Sequence, residues 1–168
     1  MILKRNTMCF KKWQPPHPEE KFNLKATEDN TSADDAIFRW YHDYNVPYRF
    51  REFWTENIRI YLDDTFVGAG TWEDENGLRH NIYHPGYLNS GCIAHERSHD
   101  SHDLLTEEEK LEFHYAYHAI KDTNKTILKL WKYNTYGTTS DIEAHAEIYR
   151  YLGEEMPEVL KQFYPKLF

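Results

Sequence analysis

Cysteine is scarce in this sequence, as are long apolar runs and positive charge. Its 168 residues include two cysteines, Cys9 and Cys92, which are too few for a disulfide framework and fit a reducing compartment. The 20 lysines and arginines are outnumbered by 28 aspartates and glutamates, so the formal net charge is −8. Because no basic stretch is interleaved with aromatic residues, we expect no nucleic acid as a direct partner.

No apolar stretch is long enough to cross a bilayer, and the first twenty residues lack the uninterrupted apolar core of a secretory signal. We therefore expect no membrane partner and a location in the cytoplasm or in a virion. Aromatic residues, in contrast, make up 16% of the chain. Many of them must lie in the core or line a groove.

The length suits a single domain. Residues 1–31 contain the polar, proline-bearing segments PPHPEE and ATEDNTS, which predict an irregular N-terminal arm. Residues 32–168 are then predicted to form one domain, with Ser32 capping a helix over residues 33–44.

The segment NIRIYLD alternates apolar and polar residues, as a half-buried strand does, and TFVGAGTW and LRHNIYH follow it. Asn76-Gly77 between the last two segments is a strong hairpin signal. The pattern predicts a small antiparallel meander over about residues 57–84. Five helices are predicted after it: residues 91–102 behind Ser90, a helix opened by a Thr106/Glu109 capping box, TNKTILKLWKY, a helix from Thr139 or Ser140 to Gly153, and a last one in MPEVLKQFY with Pro157 in its first turn. The predicted fold class is α+β, a small sheet followed by a mainly helical half.

One of these helices contains His95-Glu96-Arg97-Ser98-His99, an H-E-x-x-H motif. Residues four apart share a helix face, so His95 and His99 can bind one tetrahedral Zn²⁺, while Glu96 can reach a water on the metal as general base. A random arrangement of this composition would give about 0.06 such matches. The competing interpretation is that the two histidines merely fall at helical spacing on an amphipathic helix.

A catalytic zinc needs a third protein ligand, and the sequence leaves alternatives open. We favour Glu143 in the segment IEAHAE, where the following alanine allows close helix packing. Its carboxylate could instead be occupied by a capping box with Ser140. His114 and His118 on the preceding helix are the rival ligands, although FHYAYH could equally be an aromatic core face.

Three further residues receive roles from their positions. Glu147, one turn after Glu143, could accept the outer N–H of a ligating histidine and fix its tautomer. Tyr136 is the candidate oxyanion donor, with Tyr133 and Tyr149 behind it. His145 is predicted to face solvent, because it points about 200° around the helix from Glu143.

The HERSH motif followed by EAHAE at residues 143–147 resembles the zincin metallopeptidases of the gluzincin type, in a minimal form. The resemblance covers about residues 57–152. It implies zinc ligands His95, His99 and Glu143, the base Glu96, and Glu147 in support of a histidine. The extended metzincin motif is absent. The SprT-type proteases use a third histidine some fifteen residues on, where His114 stands, but their glycine-rich approach to it is missing.

These features predict a zinc-dependent metallopeptidase that hydrolyses a peptide or protein substrate held as an added strand along the edge of the meander. The alternative is a structural or assembly protein that keeps the fold without catalysis and docks into a larger particle, such as a phage. A third interpretation is an SprT-like protease with a histidine as third ligand.

Overall fold

The computed structural model describes residues 31–168, with side chains from residue 33 onward. The arm predicted for residues 1–31 therefore lies almost wholly outside the described residues. The described chain forms the helices and strands α1 (Thr31–Asp43), α2 (Tyr48–Asn57), β1 (Ile58–Leu62), β2 (Ala69–Glu73), β3 (Arg79–Tyr83), α3 (Ser90–Asp103), α4 (Glu107–Ile120), α5 (Lys125–Tyr133), α6 (Asp141–Leu152) and α7 (Glu158–Lys161). This order confirms the predicted α+β class, a small sheet followed by a mainly helical half.

The sheet is mixed rather than an antiparallel meander. Its strand order is β1-β3-β2, with β3 parallel to β1 and antiparallel to β2. Asp74 and Gly77 form the turn of the β2–β3 hairpin, where Gly77 has a positive φ of 77°. The hairpin prediction is thus confirmed, whereas the predicted pairing of β1 with its sequence neighbour β2 is wrong.

The predicted helix starts agree with the structure to within two residues. Asn89, rather than Ser90, caps α3, because its side chain accepts the backbone N–H of Cys92. Thr106 and Glu109 form the predicted capping box of α4. Helix α2, which begins directly after Pro47 and runs into β1, was not predicted.

The main core lies between α3 and the helices around it. It contains Trp40, Trp54, Ile93, Phe113 and Tyr149, all at most 1% exposed. The chain after α7 closes this core, since Trp54 donates its indole N–H to the carbonyl of Lys166. No helix of residues 31–168 combines the length and apolar character needed to span a membrane.

Candidate metal centre

Helix α3 is buried along most of its length although it is largely polar. Every residue from Cys92 to His102 is buried. A helix of this composition is stable inside a protein only if its polar groups find partners there. The helix lies against β2, α1 and α6, and its two polar faces serve different purposes.

One face of α3 and one face of α6 bring the predicted ligands together. Nε2 of His95 and Nε2 of His99 are 3.1 Å apart. Oε2 of Glu143 is 3.5 Å from the first nitrogen and 3.7 Å from the second. All three residues are buried. The structure thus places Glu143, three helices further along the chain, against both histidines of the motif.

Small residues allow this approach. Ala144 and Ala146 on α6 are fully buried, which agrees with the close helix packing expected after Glu143. Ser140 caps α6 by accepting the backbone N–H of Glu143. The two roles that the sequence set in competition are therefore compatible, because the cap uses the backbone of Glu143 and its carboxylate faces the histidines.

The residues present fit a zinc ion by geometry and by donor type. A tetrahedral zinc with bonds of about 2.0–2.2 Å separates its ligand atoms by roughly 3.3–3.6 Å, which the triangle of His95, His99 and Glu143 brackets. Glu96, beside the triangle, is 2% exposed. Its Oε2 atom receives no hydrogen bond from any residue between 31 and 168, so it remains able to accept one from a water at the centre.

Glu147 lies behind His95, with its Oε1 atom 2.7 Å from Nδ1 of the imidazole. The same carboxylate accepts a hydrogen bond from Asn134 and is 3.4 Å from Nη1 of Arg150. Glu147 is thus held on three sides, and the orientation of the His95 ring follows from it. Nothing in the local sequence around Asn134 or Arg150 indicated this role.

Burial and neighbouring charges shift the pKa values of Glu96, His95 and Glu147. Burial raises the pKa of Glu96 to about 8, against the effect of His95 and together with the charges of Asp100 and Glu143. Burial alone would lower the pKa of His95, but its contact with the carboxylate of Glu147 and the charges of the surrounding carboxylates raise it. Burial alone would raise the pKa of Glu147. The contact with His95 has the larger effect, so the pKa of Glu147 is lowered. Such shifts are typical of functional sites.

His95, Glu96 and Glu147 line a cleft of about 270 Å³, whereas His99 and Glu143 lie behind its wall. Tyr136 lines this cleft, with its ring centroid 6.3 Å from that of His95. Of the alternatives, Tyr133 is 77% exposed and Tyr149 is fully buried in the core, and neither lines the cleft. The remaining lining residues are Gly68, Ala69, Tyr87, Cys92, His95, Glu96, Asn134, Glu147, Arg150 and Tyr151.

The cleft wall around Tyr136 depends on a glycine. A Cβ atom on Gly137 would overlap the ring of Trp131 and lie 3.0 Å from Cβ of Glu147. Only glycine therefore allows the turn containing Tyr136 to pass this close to α5 and α6.

The opposite face of α3 carries a buried polar network centred on Asp100, which is 0% exposed. Its carboxylate accepts hydrogen bonds from Thr71 on β2 at 2.7 Å and from Asn81 on β3 at 3.2 Å. Nη1 of Arg97 and Nη1 of Arg79 each lie 3.5 Å from it. This network fixes the sheet against the helix that carries the motif, and no local pattern in the sequence indicated it.

The rival third ligands lie elsewhere. His114 and His118 both contact Asp141, at the first residue of α6. Among residues 31–168, the groups able to hold a metal are His95/His99/Glu143 and, separately, His114/His118/Asp141. The structure therefore gives no support to a histidine from α4 as the third ligand of the motif.

The prediction that His145 faces solvent is wrong. Its side chain is fully buried, with Nδ1 2.8 Å from the hydroxyl of Ser98 and Nε2 2.6 Å from the carbonyl oxygen of Phe163. The prediction assumed that α6 packs on one side only, whereas the chain after α7 covers its other side.

Taken together, the fold and the centre define an α+β protein with a buried two-histidine, one-glutamate group beside an unsatisfied carboxylate. No family model matches this chain. No curated protein and no solved structure with which it was compared matches it either.

Proposed function

We propose that this chain is a zinc-dependent metallopeptidase of a minimal gluzincin-like type. The observation that carries the proposal is the triangle of His95, His99 and Glu143, which has the edges of a tetrahedral zinc site and reaches a cleft at His95. Three protein ligands with an open fourth position are typical of catalytic rather than structural zinc.

Zinc, when bound, supplies an activated water and a Lewis acid for the scissile carbonyl. Glu96, whose Oε2 atom accepts no hydrogen bond from any residue between 31 and 168, would accept a proton from that water and donate it to the leaving amine. Glu147 holds His95 in the tautomer that leaves Nε2 free to bind metal. Tyr136 donates its hydroxyl hydrogen to the oxyanion.

The substrate is a peptide or protein that adds a strand to β2. This strand is at one end of the sheet order, and its first residue, Ala69, lines the cleft together with Gly68. Main-chain pairing with an edge strand would align the scissile bond with Glu96 on the neighbouring helix. Nucleic acid and membrane are not part of the proposal, and the proposed location is the cytoplasm or a virion.

The proposal is tested by metal analysis followed by a peptide-library cleavage assay. We expect zinc in the wild type, loss of that ion in Glu143→Ala, and retention in Glu96→Gln with no cleavage. His114→Ala is the matched control for histidine removal near α6 and should leave both the ion at the motif and the cleavage unchanged. Zinc at the motif that depends on His114 would instead favour the SprT-like alternative.

The second candidate is a non-catalytic assembly protein that keeps the fold and docks into a larger particle. Several aromatic side chains on the described surface favour it, since Phe38, Tyr48, Tyr115 and Tyr133 are each more than 60% exposed. This candidate predicts bound zinc but no cleavage by the wild type of any peptide in the library.

A further inference from the structure

A second group of metal-binding side chains lies between α4 and the start of α6. His114 Nδ1 is 2.5 Å from Oδ2 of Asp141, and His118 Nε2 is 3.0 Å from Oδ1 of the same carboxylate. The two imidazole rings are 4.2 Å apart between centroids. One ligand atom from each residue lies within 4.8 Å of the others.

The arrangement is more specific than a surface histidine beside an acid. The two histidines are one helical turn apart and so share a face of α4, and each directs a ring nitrogen to a different oxygen of one carboxylate. Between 33% and 43% of each side chain is exposed, so an ion can enter and keep water ligands on its open side. Two imidazoles and a carboxylate suit zinc, copper or nickel better than calcium or magnesium.

This group shares no residue with the centre on α3. Asp141 and Glu143 are two residues apart on α6, which turns their side chains about 200° from each other around the helix. An ion held by His114, His118 and Asp141 would therefore leave Glu143 and the cleft untouched.

We propose that His114, His118 and Asp141 form a second metal site, which takes a divalent transition ion and joins α4 to the N-terminal turn of α6. The site goes beyond the proposed peptidase function and does not depend on it. The two helices come together only in the folded chain. An ion bound there therefore raises the free energy of unfolding by RT ln(1 + [L]/Kd), where [L] is the free metal concentration and Kd its dissociation constant.

The test uses the full chain without a histidine tag, dialysed against a molar excess of zinc chloride and analysed for zinc by plasma mass spectrometry. We expect two zinc ions in the wild type and one in His118→Ala, with the remaining ion lost when Glu143→Ala is added. His42→Ala is the matched control, because His42 is a surface histidine on α1 with an 82% exposed side chain that also contacts an aspartate. It should keep both ions.

A thermal unfolding series with added zinc gives a second readout. In the Glu143→Ala background, zinc should still raise the melting temperature, and it should no longer do so once His118→Ala is added. If the wild type binds a single ion, and that ion persists in Glu143→Ala but is lost in His118→Ala, the result would contradict the peptidase proposal and support this one. Two ions retained in the His114→Ala/His118→Ala double variant, or a single ion that depends only on Glu143, would overturn it.

Discussion

Glu147 reaches Nδ1 of His95 at 2.7 Å, on the side of the ring opposite to the nitrogen that faces His99. The carboxylate thus contacts the ring atom that a metal at the triangle would not use. Since Asn134 and Arg150 hold the carboxylate in turn, the position of the His95 ring depends on a chain of contacts that starts in the loop before Tyr136.

Replacing Glu147 by glutamine should therefore weaken zinc binding about 10- to 100-fold without removing a ligand. The amide has lost the charge that orients the imidazole and can present its NH₂ group to the ring. Competition with a chromogenic chelator measures the affinity. Glu108→Gln, at an exposed position on α4, is the control. Equal affinity in both variants would refute the role given to Glu147.

Replacing Glu96 by glutamine should change the pH dependence of stability in the metal-free protein. Glu96 has a folded pKa of about 8, above its ordinary value of 4.5, so the folded state holds its proton more tightly than the unfolded state does. The stability that protonated Glu96 contributes is present below pH ~4.5 and is lost as the pH rises to ~8.

Urea unfolding in the presence of a chelator between pH 5 and 8 measures this effect. The wild type should lose stability over that range, on the order of 4 kcal/mol at most, and Glu96→Gln should lose clearly less. His95, whose pKa is also raised, contributes a decline of the same sign, and because Glu96 is one cause of that shift, the difference between the two curves measures Glu96 together with its coupling to His95. Parallel curves would contradict the prediction.

Tyr136→Phe should lower kcat about 10²- to 10³-fold and leave KM nearly unchanged, if Tyr136 is the oxyanion donor. The ring keeps its packing near His95, and only the hydroxyl is removed. Steady-state kinetics on a cleaved peptide measure both constants. Tyr133→Phe is the control, because that side chain is 77% exposed and outside the cleft. A KM effect alone would assign Tyr136 to substrate binding.

Asp100→Ala should destabilise the protein by about 3–5 kcal/mol, because it leaves the buried guanidinium group of Arg97 without its carboxylate. Equilibrium unfolding in urea measures the loss. Asp103→Ala is the control: it also contacts Arg79, at 3.4 Å, but its side chain is 23% exposed, and it should cost much less. Similar losses in the two variants would show that the network around Asp100 is not what holds the sheet to α3.

The sequence predicted local features well and failed where a second element decides the outcome. The Thr106/Glu109 capping box and the Asn76-Gly77 turn were predictable because each is complete within a few residues. The alternation around Ile58 indicates a strand but says nothing about its neighbour, so the parallel pairing with β3 could not be predicted. The segment of α2 has no strong start signal apart from Pro47.

In the metal centre, too, some features were predictable from local spacing and others depended on a second element. The spacing of His95 and His99 places them on one face of a helix, and both do face one point. The choice between Glu143 and His114 depended on how α4 and α6 pack, which no local pattern records. Asn134 and Asp100 act through residues distant in sequence, so their importance is visible only once α3, the sheet and α6 are in contact.

The order β1-β3-β2 has a consequence for how the chain folds. The β2–β3 hairpin is local and can form early, whereas β1 must wait for β3, which follows it by about twenty residues. We therefore expect β1 to be the last of the three strands to join the sheet. During synthesis, β1 leaves the ribosome before its partner β3 exists, so its pairing edge has to wait for the hairpin that follows it.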